Sequence, residues 1–189
     1  MSSAGASLIA ELESAVQSGS KTERVDTLRR ITDLFLSTQE RLSAEQIDVF
    51  DEVIGHLARR IEIRALAELS ERLAPIDNAP PGVIRNLARE DEIAVAGPVL
   101  MNSTRLSNPD LMEIASTKGQ PHLLAISGRR ALAEPVTDIL IERGDLQVYR
   151  KLASRSDARF SEHGLSRLVK HAEDDDTLTE TLGLRLDLP

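Results

Sequence analysis

The chain has 189 residues, 41% of them hydrophobic and 29% charged, and a formal net charge of −8 at pH 7. That is enough apolar material for a core in one domain or two small ones, which excludes global disorder, and no run of ~18 apolar residues is present to cross a bilayer. With no cysteine, disulfides, thiolate metal sites and cysteine nucleophiles are excluded together, as suits a reducing cytoplasm.

The opening Met1-Ser2-Ser3-Ala4-Gly5 has no basic stretch ahead of an apolar one and does not read as a secretory signal. Residues 1–19 are expected to form an atypical N-terminal cap helix. Ser20-Lys21-Thr22-Glu23 is a capping box, in which serine and glutamate each satisfy one orphan N–H. Val25, Leu28, Ile31 and Phe35 follow at helical spacing. Ser43-Ala44-Glu45-Gln46 is a second box, with Leu42 and Ile47 placed as a hydrophobic staple. Its stripe is Ile47, Phe50, Ile54, Leu57 and Ile61, and Leu66, Leu69 and Leu73 follow. The stripe drifts between 61 and 66, where the spacing leaves open whether the helix breaks. The one strand-like run, Ile93 to Leu100, holds Gly97-Pro98, which would spoil a central strand. It reads as a helix kinked at Pro98. Ala, Leu, Arg and Glu dominate throughout, and the fold class is all-α.

A phrase then recurs: an apolar residue and a serine cap, without a closing Glu or Gln. It stands at Leu106-Ser107-Asn108-Pro109-Asp110-Leu111 and at Phe160-Ser161-Glu162-His163-Gly164-Leu165. A degenerate copy, Leu132-Ala133-Glu134-Pro135-Val136-Thr137, has lost the serine. Ser107, Ala133 and Ser161 are 26 and 28 residues apart, and the 64 from Ser43 to Ser107 would hold two slightly longer units. Turn signals fall at Asn78-Ala79-Pro80-Pro81, Lys118-Gly119-Gln120-Pro121 and Gly144-Asp145. Two short helices fit each interval. Such a unit cannot bury its apolar face alone, so the units are expected to stack as a short α-solenoid of antiparallel helix pairs. The period is short for HEAT or armadillo units. The expected layout is a single domain: longer helices over 20–77, short repeats over 78–171, and a cap or the start of a further region over 172–189.

From about Thr22 onward the chain resembles the bacterial domain of unknown function family 2336. The resemblance is carried by Leu34-Phe35-Leu36, Leu73-Ala74-Pro75, Ala79-Pro80-Pro81, the run Ile93 to Leu100, and His122-Leu123-Leu124-Ala125-Ile126-Ser127. Ile141-Glu142-Arg143-Gly144-Asp145 and Ala158-Arg159-Phe160-Ser161 complete it. It implies a HEAT-like helical-repeat fold and supplies no established activity. Members often run well beyond this length, so the stop at Leu188-Pro189 reads as a trimmed or short member.

No catalytic signature emerges. His56 has Gly55 and Arg59-Arg60 nearby but matches no phosphoacceptor pattern, and a boundary or packing role is expected for it. His122, after Pro121, is expected to be structural or capping. His163 and His171 are eight apart, ~10 Å or more along a helix, too far to share a metal ion. Glu90-Asp91-Glu92 and Glu173-Asp174-Asp175-Asp176 read as solvated helix junctions; Thr179 and Arg185 stand where a calcium loop needs glycine and glutamate. Ser127-Gly128 lacks a nucleophile elbow, and no phosphate-cradling glycine loop is present. The expectation is a non-enzyme with no cofactor and no metal.

Charge is the functional lead. Residues 1–117 are net −7, 118–171 net +4 and 172–189 net −5. In the positive stretch Arg129, Arg130, Arg150, Lys151, Arg155 and Arg159 recur in successive units and are the candidate partner-binding residues, set to line a stripe facing an acidic partner or phosphate. The bland alternative is local pairing, such as Arg130 with Glu134 or Arg159 with Glu162. The function expected is a cytoplasmic protein-interaction or scaffold module; nucleic acid and membrane insertion are not expected, and a homo-oligomer is allowed. The rivals are an enzyme or nucleic-acid-acting protein on a HEAT-like scaffold, for which the aromatics Phe35, Phe50, Tyr149 and Phe160 are few, and a phosphotransfer scaffold resting on His56.

Overall fold

The computed structural model describes residues 20–185. Eleven α-helices lie among the described residues, with no strand. They are α1 Lys21–Thr38, α2 Ala44–Ala58, α3 Ile63–Leu73, α4 Pro81–Arg89, α5 Ile93–Asn102 and α6 Asn108–Thr117. Then come α7 Gln120–Ser127, α8 Glu134–Arg143, α9 Leu146–Ala153, α10 Glu162–Ala172 and α11 Asp176–Gly183. The N-terminal helices are the long ones, at 18 and 15 residues for α1 and α2 against 8 to 11 for the rest. The cap helix expected over residues 1–19 lies outside the described residues.

The helix starts follow their local chemistry. Ser20 Oγ accepts from Glu23 N at 3.2 Å while Ser20 N donates to the Glu23 carboxylate at 2.6 Å. Ser43 and Gln46 do the same at 3.3 and 2.9 Å. At Ser107 a closing residue does exist: Asp110 takes the glutamate's place and accepts from Ser107 N at 3.1 Å. Its shorter arm reaches because the Ser107 hydroxyl also donates to it, at 2.6 Å. Ala133 and Ser161 are the N-caps of α8 and α10, so all three aligned positions start a helix. A fourth copy went unread. Pro80 is the N-cap of α4, which divides the 64-residue interval into 37 and 27. Proline offers no side-chain acceptor, and Asp51 of α2 supplies one instead, accepting from Gly82 N at 2.9 Å and Val83 N at 2.7 Å. Gly82 is required there because a Cβ would collide with that carboxylate; Gly164 faces Asp138 in the same way on α10.

The drifting stripe at 61–66 is a break. α2 ends at Ala58 and α3 begins at Ile63, while Ile61 packs half-buried in the turn between them. The run from Ile93 is helical to Asn102 with Pro98 inside it.

Helices of odd number pack on the next odd helix from α1 to α11, and helices of even number on the next even helix from α2 to α10. Each helix also packs on at least one of its sequence neighbours. The core is the seam between these two rows: Leu28, Ile31, Phe35, Ile54, Leu57, Leu73, Ile84, Leu100, Ile114, Ile126, Leu140 and Leu152 are buried in one continuous cluster. Phe35 is fully enclosed and meets the half-buried Phe50 edge-to-face at 5.3 Å between ring centres. Ser70, in α3, is 0% exposed and its hydroxyl has no hydrogen-bond partner. Ser70→Ala is therefore expected to raise stability by about 1 kcal/mol, through removal of an unpaired buried hydroxyl and better helix propensity, read from urea unfolding.

Candidate functional site

The segments that join the helices fall into two sets. After α1, α3, α5, α7, α9 and α11 come 39–43, 74–80, 103–107, 128–133, 154–161 and 184–185, holding seven basic and three acidic residues. After α2, α4, α6, α8 and α10 come 59–62, 90–92, 118–119, 144–145 and 173–175, with three basic and eight acidic. Hydrogen bonds join the first set to one another. Asn78 Nδ2 donates to Gln39 O at 2.6 Å, Arg105 Nε to Ala79 O at 3.1 Å, Arg159 N to Leu132 O at 2.9 Å, and Arg185 Nη2 to Ala158 O at 3.1 Å. Asn78, Arg105 and Arg159 each stand two residues ahead of an N-cap, so one position of the repeat carries one job. The second set is tied likewise: Lys118 pairs with Asp91, and buried His122 meets Glu90 O at 2.9 Å. One end of the helix array is thus basic and the other acidic.

Of the six candidate cations, Arg129, Arg130, Arg155 and Arg159 lie in two adjacent segments of the basic end, and Arg150 and Lys151 in the last turn of α9. Three are engaged by the fold. Arg129 donates to Leu100 O at 2.6 Å and Ser103 O at 2.8 Å, closing the C-terminus of α5 from the next unit. Burial pushes its guanidinium below the ordinary arginine value. Arg150 pairs with Asp175 and Arg155 with Asp157. Arg130, Lys151 and Arg159 are exposed, and neither Arg130–Glu134 nor Arg159–Glu162 forms among the described residues.

Arg159 lines a cleft of about 730 Å³, and exposed Arg130 stands one residue ahead of Ala131 on its wall. Its walls are the segments ahead of α8 and α10 and the first turns of those helices; buried Leu132 and Ala158 and half-buried Phe160 line it, with one base, Arg159, and three acids, Glu134, Asp157 and Glu162, also on its walls. Ala131, also on its wall, has φ 53°, a left-handed conformation that costs a non-glycine residue roughly 1–2 kcal/mol. It is held there by its amide donating to Asp157 at 3.1 Å.

Burial works to raise the Asp157 carboxyl, but Arg155 and the Ala131 amide outweigh it and hold it below the usual carboxylate range. Arg150 and the Leu178 amide lower Asp175. A carboxyl depressed in the folded state binds fewer protons there than in the unfolded chain, so its contribution is complete above the ordinary carboxylate range and is lost as pH falls through the folded value. The melting temperature is expected to hold down to about pH 5 and to fall below about pH 4, followed by circular dichroism.

The histidines and aromatics are placed as follows. His56 is exposed in the last turn of α2, not packed. His163 and His171 are exposed on α10, and His171 stacks on buried Tyr149 at 4.5 Å. Phe160 lies under the Arg185 guanidinium at 4.8 Å. No three His, Asp or Glu side chains gather for a metal ion among the described residues. No helix among them is long and apolar enough to cross a membrane.

The class so defined is an all-α protein of consecutively packed helices whose joining segments are bonded into one basic and one acidic end. The chain belongs to the bacterial family described as uncharacterised protein conserved in bacteria (DUF2336), whose model matches residues 95–189. Leu34-Phe35-Leu36 and the motifs at 73–81 lie ahead of that match. No curated protein and no solved structure matches the chain.

Proposed function

We propose that this chain is a cytoplasmic, non-catalytic protein-interaction module, built as a short HEAT-like α-solenoid and binding an acidic protein segment at its basic end. The two rows of consecutively packed helices support the solenoid reading, because each unit buries its apolar stripes only against its neighbours. The binding reading is carried by one observation: an open cleft at the end where basic residues gather, with exposed Arg159 on its wall and exposed Arg130 next in sequence to Ala131 of that wall. The two arginines attract an acidic partner, Glu134, Asp157 and Glu162 on the walls restrict where its carboxylates can sit, and Leu132, Ala158 and Phe160 give apolar contact.

Affinity purification from native lysate at low and high salt tests this, comparing the native chain with the double variant Arg130→Glu, Arg159→Glu. A stoichiometric partner lost both in high salt and in the variant is the expected result. A partner that the double variant retains would place the binding face elsewhere, and a partner that proves to be nucleic acid would favour the rival reading. Arg129, Arg150 and Arg155 are left out of the reversal because the fold uses them.

A further inference from the structure

Two helices of the odd-numbered row, α5 and α7, differ in chemistry from the rest of the array. Helices α5 and α7 contain no charged residue in their 18 positions. On α5 the outward side chains are Ile93, Ala94, Met101 and the polar Asn102, with half-buried Gly97 and Pro98; on α7, Gln120, Pro121 and half-buried Leu124 continue the surface. Of the eight exposed large hydrophobic side chains among the described residues, six belong to the odd row and its last cap, and two to the even row. Charged side chains are exposed on the other helices of both rows, among them Arg64 and Glu71 on α3 and Glu113 on α6, so the charge-free surface is that of α5 and α7. An apolar surface on two adjacent helices is the kind that a partner covers.

Its borders are charged, with opposite signs. At the N-terminal ends an acidic N-cap precedes an exposed apolar residue three times: Glu62-Ile63, Glu92-Ile93 and Asp145-Leu146. At the C-terminal end Lys151 leans over Gly128 toward Met101. The Lys151 Cε and the Met101 methyl both lie 3.5 Å from the point a Gly128 Cβ would occupy. Along α5 the surface thus runs acid, apolar, base.

We propose that this face pairs with the same face of a second copy of the chain, about a two-fold axis that runs along the row and perpendicular to the helices. That rotation keeps the order of the row and reverses helix direction. α5 then lies antiparallel on α5 of the second copy, Ile93 meets Met101, and Glu92 of each copy meets Lys151 of the other. The pattern is self-complementary, as an isologous contact requires. A two-fold axis parallel to the helices would instead set acid on acid. Four central helices span roughly 15 Å by 35 Å, near the lower bound of specific interfaces, so the pairing is expected to be reversible.

Sedimentation equilibrium of the purified chain across micromolar to submillimolar concentration tests it. The mass is expected to rise from 20.7 kDa toward that of a dimer, less so in high salt. Met101→Glu abolishes the rise without lowering the melting temperature, since Met101 is exposed. Glu92→Lys and Lys151→Glu each weaken pairing about tenfold, and the double variant recovers it because every contact is again between opposite charges. A chain monomeric throughout, or a double variant as weak as the singles, overturns the proposal. Neither outcome touches the partner reading, which is scored on lysate capture by Arg130 and Arg159.

Discussion

Replacing Phe35 with alanine is expected to cost about 3–5 kcal/mol, the range for deleting a fully enclosed aromatic side chain. The side chain is 0% exposed and packed among Leu28, Ile31, Ile54 and Leu57, with the Phe50 ring edge-to-face against it. Its loss removes apolar burial and leaves a void that α1 and α2 close only in part, because α1 is held to α3 by Arg29–Glu68 and Arg72–Asp33. Phe50→Ala is expected to cost less, because Phe50 is half-buried and its site opens to water. The stripe Ile47, Phe50, Ile54, Leu57 reads as one equal face in the sequence, yet Ile54 and Leu57 are buried and Ile47 and Phe50 are half-exposed. Urea unfolding of the two variants should order them Phe35 well above Phe50. Equal losses would mean that the core does not centre on α1.

Arg129→Ala is the second large effect, at about 2–3 kcal/mol. In sequence Arg129 and Arg130 are adjacent arginines with equal claims on a partner. In the fold they part: the Arg129 guanidinium donates to the carbonyls of Leu100 and Ser103, and Arg130 points to solvent. Removing Arg129 leaves the last turn of α5 with part-buried carbonyls unpaired and severs the tie between two units. Arg130→Ala is expected to lie within about 0.5 kcal/mol of the native chain, as surface substitutions do. Thermal unfolding separates the two. An Arg129 variant as stable as the Arg130 variant would show that the cap carries no weight.

Helix starts were the most legible feature. Serine caps and their closing acids act within four residues, so Ser20, Ser43 and Ser161 could be read directly, and Ser107 up to its closing acid. Pro80 could not, because its acceptor is Asp51, some thirty residues earlier on another helix. His122 reads as structural or capping and is buried against the Glu90 carbonyl; His56 reads as a boundary or packing residue and lies exposed beside buried Leu57, since helical spacing does not say which side of the stripe a residue takes. Of the candidate site, the sequence discloses the basic stretch but not which cations are spent on the fold, nor the cleft between two segments some 25 residues apart.

Taken alone, then, the sequence determined the all-α class, the boundaries of the capped helices and a repeat of 26 to 28 residues from Ser107 onward. These are short-range matters, decided by caps, propensity and a 3.6-residue period acting within a turn or two. Tertiary structure decided which arginines remain available, where Asp51 and Arg129 close neighbouring helices, and how the joining segments sort into a basic and an acidic end. Those outcomes depend on contacts between successive units, and a side chain's role there is fixed by which unpaired backbone group the next unit brings within about 3 Å of it.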